Sequence, residues 1–187
     1  QQQRQRQRQQ QQQQQHLSLF SSLHCGRITM HKNLFISMSS NNIFWILWYL
    51  CVLFQQEVLA SNPLWCRALH VTKTYFMITT YSWMLCEGSY LQLLLSNTWG
   101  VKGWQLWALV SCGWGMPVVV MVPYTVFRAL SEEENINCWM DTGDSIWFLA
   151  VPVILAISFN VLIVINVIRL IKRKRNLASE DRSIYNT

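Results

Sequence analysis

The sequence predicts an all-α fold, a polytopic membrane helical bundle of four transmembrane helices behind a disordered Gln-rich N-terminal tract. Four stretches are each long enough to cross a bilayer, which takes about 20 residues at 1.5 Å per residue. The stretches between them are polar or rich in turn residues. The net charge of +6 is uneven, with Arg169, Lys172, Arg173, Lys174 and Arg175 gathered at the end of the fourth stretch.

Residues 1–24 come first. Their opening run is Gln interrupted by Arg4, Arg6 and Arg8, and such a tract cannot bury enough surface to order itself. A coiled-coil or nucleic-acid role fits it less well than a disordered extension, and no nucleic-acid partner is expected. A membrane domain over residues 25–175 follows, with spans at about 28–54, 66–95, 104–127 and 146–171. Asn62 before Pro63 marks the first break, Gly100 and Gly103 the second, and the acidic 131–144 stretch the third. None of the four is uniformly apolar, so they are expected to pack on one another. Residues 176–187 form a trailing polar segment.

Basic residues orient the bundle. The cluster after the fourth span belongs in the cytoplasm, and so does the 96–103 loop with Lys102. The 55–65 and 128–145 loops then face outward, the second carrying Glu132, Glu133, Glu134, Asp141 and Asp144 against Arg128. The first span enters from the cytoplasm, where Arg27 sits. Cys66 and Cys138 both fall on the oxidising side, so a bridge between them is allowed. It would close a loop of about 70 residues, worth roughly 4 kcal/mol in the chain-entropy view. Cys25, Cys51, Cys86 and Cys112 read as small apolar packing groups. No Asn-x-Ser/Thr acceptor occurs.

Polar groups inside the spans carry the functional signal. An ionised carboxylate such as Glu87 costs roughly 2.5–3.5 kcal/mol at membrane depth, so a partner is expected. Arg27 and His31 are four apart on one helix face. His31 lies about 9 Å from the inner end of its span and Glu87 about 12 Å from the inner end of its own. Tyr90, three residues past Glu87, shares its face. Two readings stand: a polar lock near the cytoplasmic side that helix movement opens, or a static link that fixes packing. Farther out, Lys73 lies about two turns below Cys66. With Asn41, Asn42, Trp45 and Tyr49 it would line an outward-facing cavity, or it would snorkel to the interface.

Other chemistries find little support. His16, His24, His31 and His70 show no metal-binding spacing, and neither a nucleophile elbow nor a phosphate-cradling Gly loop occurs. No enzyme activity, metal or cofactor is expected. A transporter or channel would show an internal repeat or a half-helix broken at mid-membrane. Pro117 and Pro123 only kink the third span.

Taken together, these motifs resemble the secretin-like (class B) peptide-hormone receptors, a G-protein-coupled family of seven spans. CGRITMHKNLF (25–35) is similar to the family's second helix, WMLCEGSYL (83–91) to its third and GWGMP (113–117) to its fourth. Val151–Val153 with Asn160 are similar to the fifth, and Cys66 with Cys138 and Trp139 to the outer disulfide and second extracellular loop. The calcitonin, corticotropin-releasing-factor and pigment-dispersing-factor branches are the most similar.

The resemblance implies a plasma-membrane receptor. A peptide hormone or neuropeptide would bind outside, and a heterotrimeric G protein, commonly adenylyl-cyclase-stimulating, would bind inside. Arg27, His31, Glu87 and Tyr90 would hold the inactive state, with Thr80 and Asn160 central polar residues and Cys66–Cys138 the outer disulfide. Asn41, Trp45, Tyr49, Lys73 and Trp139 would line the peptide cavity, and Arg169 and Lys172 would approach the G protein. Thr80 stands where many members carry Asn, offering one donor in place of two. The N-terminal end and residues 172–187 would be cytoplasmic. The chain opens on Gln and matches only the second to fifth helices, so it is expected to be a fragment that does not signal alone. As a truncated variant it would trap full-length receptor.

Overall fold

The computed structural model describes residues 26–96, 101–140 and 143–185. The expectations for residues 1–24, Cys25, Gly100 and Asp141 lie outside the described residues. Helix α1 covers Gly26–Leu53, its last five residues, Tyr49–Leu53, wound as a π-helical turn. Then come a short α2 (Gln56–Ser61), α3 (Leu64–Ser96), α4 (Gly103–Leu130), a 3₁₀ turn (Asn137–Trp139) and α5 (Ile146–Tyr185). No strand occurs among the described residues. The protein is an all-α membrane helical bundle.

Two boundaries differ from the sequence expectation. The 55–63 break contains α2, which stops at Asn62, a left-handed residue with φ 47° whose N–H donates to the Val58 carbonyl. Asn tolerates that conformation, and Pro63 then blocks continuation before α3 starts. At the other end, the expected segment 176–187 does not begin a separate piece. Helix α5 runs on to Tyr185 because neither Gly nor Pro follows Pro152 and most of the added residues favour helix. It therefore extends about 21 Å beyond the expected end of the span at residue 171.

Helix α3 is the centre of the bundle. Among the described residues, α1, α4 and α5 each hold a stretch long and apolar enough to cross a membrane by composition, and α3 does not. At 33 residues α3 reaches about 50 Å, but Arg67, Lys73, Glu87 and several threonines dilute its hydropathy. It packs against both α4 and α5 and contacts α1 through the Met30–Trp83 and Trp48–Cys66 clusters. Its polar groups are thus covered by protein, the arrangement that lets a helix carry them in a membrane. The outer helices turn apolar side chains such as Phe35, Val119 and Phe159 outward.

One register runs the length of the α1–α3 contact. Trp48 meets His70, Trp45 meets Lys73, Phe44 stacks on Phe76, and His31 meets Glu87. Each step back along α1 is matched by a step forward along α3, as antiparallel neighbours require. Helix α4 closes on this pair at Gly113, where an added Cβ would lie 2.7 Å from the Trp83 ring. The Trp114 indole N–H donates to Asn33 Oδ1 at 3.1 Å and ties α4 to α1.

Candidate functional site

At the end of the bundle expected to face inward, His31 Nδ1 lies 2.6 Å from Glu87 Oε1. Glu87 is the more enclosed partner, its side chain 18% exposed against 55% for His31. Tyr90 is buried beneath Gly26, where an added Cβ would come within 2.7 Å of the phenol oxygen. Arg27 is exposed, and among the described residues it forms no ion pair with Glu87. Four residues of helix return it to the His31 face only to within about 40°. The structure thus brings His31 and Glu87 together and leaves Arg27 at the rim.

The central polar residues do not meet. Thr80 turns its hydroxyl back to the Phe76 carbonyl at 2.9 Å. Asn160 instead lies beside Gly88, its Oδ1 3.6 Å from where a Cβ there would stand. That is about 12 Å farther along α3.

The opposite end, expected to face outward, is more densely connected. Cys66 and Cys138 are bonded, with Cα atoms 5.6 Å apart. Around them Asn62 donates to the Asn135 carbonyl at 2.7 Å and accepts the Cys138 N–H at 3.1 Å. Asn135 Oδ1 accepts from both Arg67 Nη1 and the Trp139 indole at 2.9 Å. These contacts hold Asn137, Cys138 and Trp139 at φ 49°, 52° and 62°, a left-handed run that costs roughly 1–2 kcal/mol per residue.

That strain places the Trp139 indole in the bundle mouth, edge-on to His70 at 6.4 Å and to Tyr124 at 6.3 Å. His70 Nε2 is 3.0 Å from the Tyr124 hydroxyl, which accepts from Arg128 Nη1 at 3.0 Å. Arg128 reaches on to Ser145 Oγ at 3.4 Å. Glu134 accepts the Ser145 N–H at 3.3 Å. The Ser145 side-chain hydrogen bond holds the Glu134 carboxyl below its ordinary range, against an opposing effect of burial and with help from the Arg128 charge.

Lys73 does not snorkel. It is 8% exposed, and its ammonium sits 4.4 Å from the Trp45 ring and 4.6 Å from the Trp48 ring. Asn41, Trp45 and Trp48 fall at i, i+4 and i+7 on α1; Trp48 faces His70 and Trp45 faces Lys73, while Asn41 lies one turn deeper. Tyr49 stands apart: it opens the π turn, is 54% exposed and sets its ring against Phe54.

The family model for the seven-transmembrane receptors of the secretin family matches residues 15–187. The chain belongs to that family. A zebrafish (Danio rerio) calcitonin gene-related peptide type 1 receptor is 33% identical over 166 residues, covering 88% of this chain and 35% of that protein. The pig (Sus scrofa) calcitonin receptor is 31% identical over 163 residues, covering 87% and 32%. The human calcitonin receptor is 31% identical over 165 residues, covering 88% and 34%. The chain therefore spans about a third of the length of the curated relatives it matches. Those relatives come from the calcitonin branch, one of the three that the motifs suggested. The family match reaches beyond the motif-bearing 25–175 segment at both ends.

On this secretin-family frame, Arg169 lines a groove of about 340 Å³ with Gln92, Ser96, Asn166, Leu170 and Arg173, where the C-terminal end of α3 meets α5. Lys172 is exposed beside it. No three His, Cys, Asp or Glu side chains converge among the described residues. The sequence reading passed over Trp48, His70, Tyr124, Arg128 and Asn135 as contributors to the outer site. A signal for two of them existed: extending the register from His31–Glu87 sets Trp45 opposite Lys73 and Trp48 opposite His70.

Proposed function

We propose that the chain forms the second to fifth helices of a plasma-membrane receptor. This receptor answers an extracellular peptide hormone or neuropeptide and acts on a heterotrimeric G protein of the adenylyl-cyclase-stimulating kind. The observation that carries this is the His31–Glu87 pair, a single ionic bridge between α1 and α3 at one end of a register whose other end is the disulfide-held mouth. A charge-assisted hydrogen bond of that length is strong and favours the arrangement that contains it. A ligand binding better to the opened arrangement shifts the population toward it.

In this reading the mouth faces outward, and Asn41, Trp45, Tyr49, Lys73 and Trp139 meet the peptide. The α5 extension enters the cytoplasm, where Arg169 and Lys172 meet the G protein. His31, Glu87 and Tyr90 hold the resting state, with Arg27 at their rim. Cells producing the full gene product with Glu87→Gln are expected to show basal cyclic AMP raised several-fold at equal surface expression. Unchanged basal cyclic AMP would reduce the pair to a packing contact.

A further inference from the structure

We propose that Lys73, clamped between Trp45 and Trp48, is a carboxylate-receiving subsite, and that the peptide ligand docks an acidic group there. The inference deepens the peptide-receptor reading and rests on it. Each of the other charged groups in the helix interfaces has an oxygen or nitrogen partner. Glu87 has His31, and Arg128 has the hydroxyls of Tyr124 and Ser145. Lys73 has neither an ion pair nor a hydrogen bond among the described residues, although it is 8% exposed. Its neighbours are two aromatic faces.

The rings attract a cation but offer no lone pair along its N–H bonds, and an ammonium carries three donors. The site is therefore satisfied in charge sign and unsatisfied in hydrogen bonding. A carboxylate supplies what is missing, and the two flanking indoles lower the dielectric around the pair. Access is from the outer end, because Lys73 lies about 10 Å below Cys66. Asn41 adds a second polar group on the same α1 stripe, with an amide oxygen that is buried and has no partner. The carboxylate belongs to an Asp or Glu side chain or to a free peptide C-terminus.

The test is a positional-scanning library of dodecapeptides, Glu against Gln at each position, selected on membranes containing the full gene product. Amidated and free-acid versions separate the two sources of the carboxylate. Wild type is expected to enrich the carboxylate at one position at least tenfold. Lys73→Met abolishes that enrichment and leaves selection at other positions intact. Lys73→Arg retains it, and Lys73→Glu inverts it to Lys or Arg. Closure of the Cys66–Cys138 bridge on a non-reducing gel monitors folding, with Lys73→Gln replacing any variant that fails. Equal acidic enrichment in wild type, Met and Glu variants overturns the subsite alone, and so does selection of peptides with no acidic preference. Absence of any selected peptide overturns the receptor reading and this inference together.

Discussion

The two ends of the α1–α3 register are built on opposite principles. The outer end is over-determined: a disulfide, an Asn62–Asn135 bridge between loops and the chain from His70 through Tyr124 and Arg128 to Ser145 fix the same few residues. At the inner end the polar tie among the described residues is one ion pair whose histidine is more than half exposed, set beside the buried Met30, Trp83, Cys86 and Tyr90. Several contacts that fix one geometry keep it while any one of them is strained, whereas a lone polar tie has no such backing. The difference teaches that the mouth is the more heavily cross-braced end, and that the proposed catch would sit at the more lightly tied one.

Ways to break that comparison follow in order of expected size. Replacing Cys138 with Ser removes a clasp worth roughly 4 kcal/mol for a loop of this size. It is expected to lower the melting temperature of purified protein by many degrees and to weaken any hormone response without inverting topology. A melting curve that does not move would show that the hydrogen-bonded frame suffices. Next in size, Arg128→Met leaves the Tyr124 and Ser145 hydroxyls short of a buried partner, at a cost of about 1–3 kcal/mol. Thermal melting in detergent measures this, and no change would remove Arg128 from the frame.

Gly113→Val probes the middle of the molecule, because the new side chain meets the Trp83 ring. Overpacking of this kind costs about 1–3 kcal/mol, and the same melting assay should show a loss comparable to that of Arg128→Met. Glu87→Gln sharpens the contrast from the other end. Its melting temperature should change less than in the three variants above, since Gln removes the charge that needed a partner and can still hydrogen-bond to His31, while basal cyclic AMP is expected to rise. A large loss of stability without a rise in basal signal would make the inner end a structural joint like the outer one.

The smallest expected effect is a pH dependence at Glu134. Its folded-state carboxyl titrates below the ordinary 4.5, so its contribution is present above that value and is lost as pH falls through the folded one. Glu134→Gln is therefore expected to flatten the melting-temperature profile below pH 4.5, and identical slopes would show that the Ser145 contact adds nothing.

Much of the molecule was legible residue by residue. Hydropathy marked α1, α4 and α5, and the isolated Glu87 pointed to a partner that His31 could supply at matching depth. The Cys66 and Cys138 positions allowed a bridge before any coordinates. The reading was weaker where the outcome depended on more than one element. Arg27 was grouped with the inner cluster by spacing, yet lies at its rim. Thr80 and Asn160 were both assigned to a central polar group by family pattern, yet Asn160, on α5, lies beside Gly88, about two turns along α3 from Thr80. Lys73 left two outcomes open, since spacing along one helix says nothing about which rings the next helix brings over it.

Hydropathy, charge placement and the lack of breakers after Pro152 belong to the chain locally, so the sequence alone determined that the protein is a helical membrane bundle and how its ends are charged. Which helix lies at the centre, the register that sets Trp45 and Trp48 over Lys73, and the left-handed turn that inserts Trp139 were decided only by the tertiary structure. The reason is that burial of a polar group is favourable or costly according to its partner, and a partner is a property of two segments packed together.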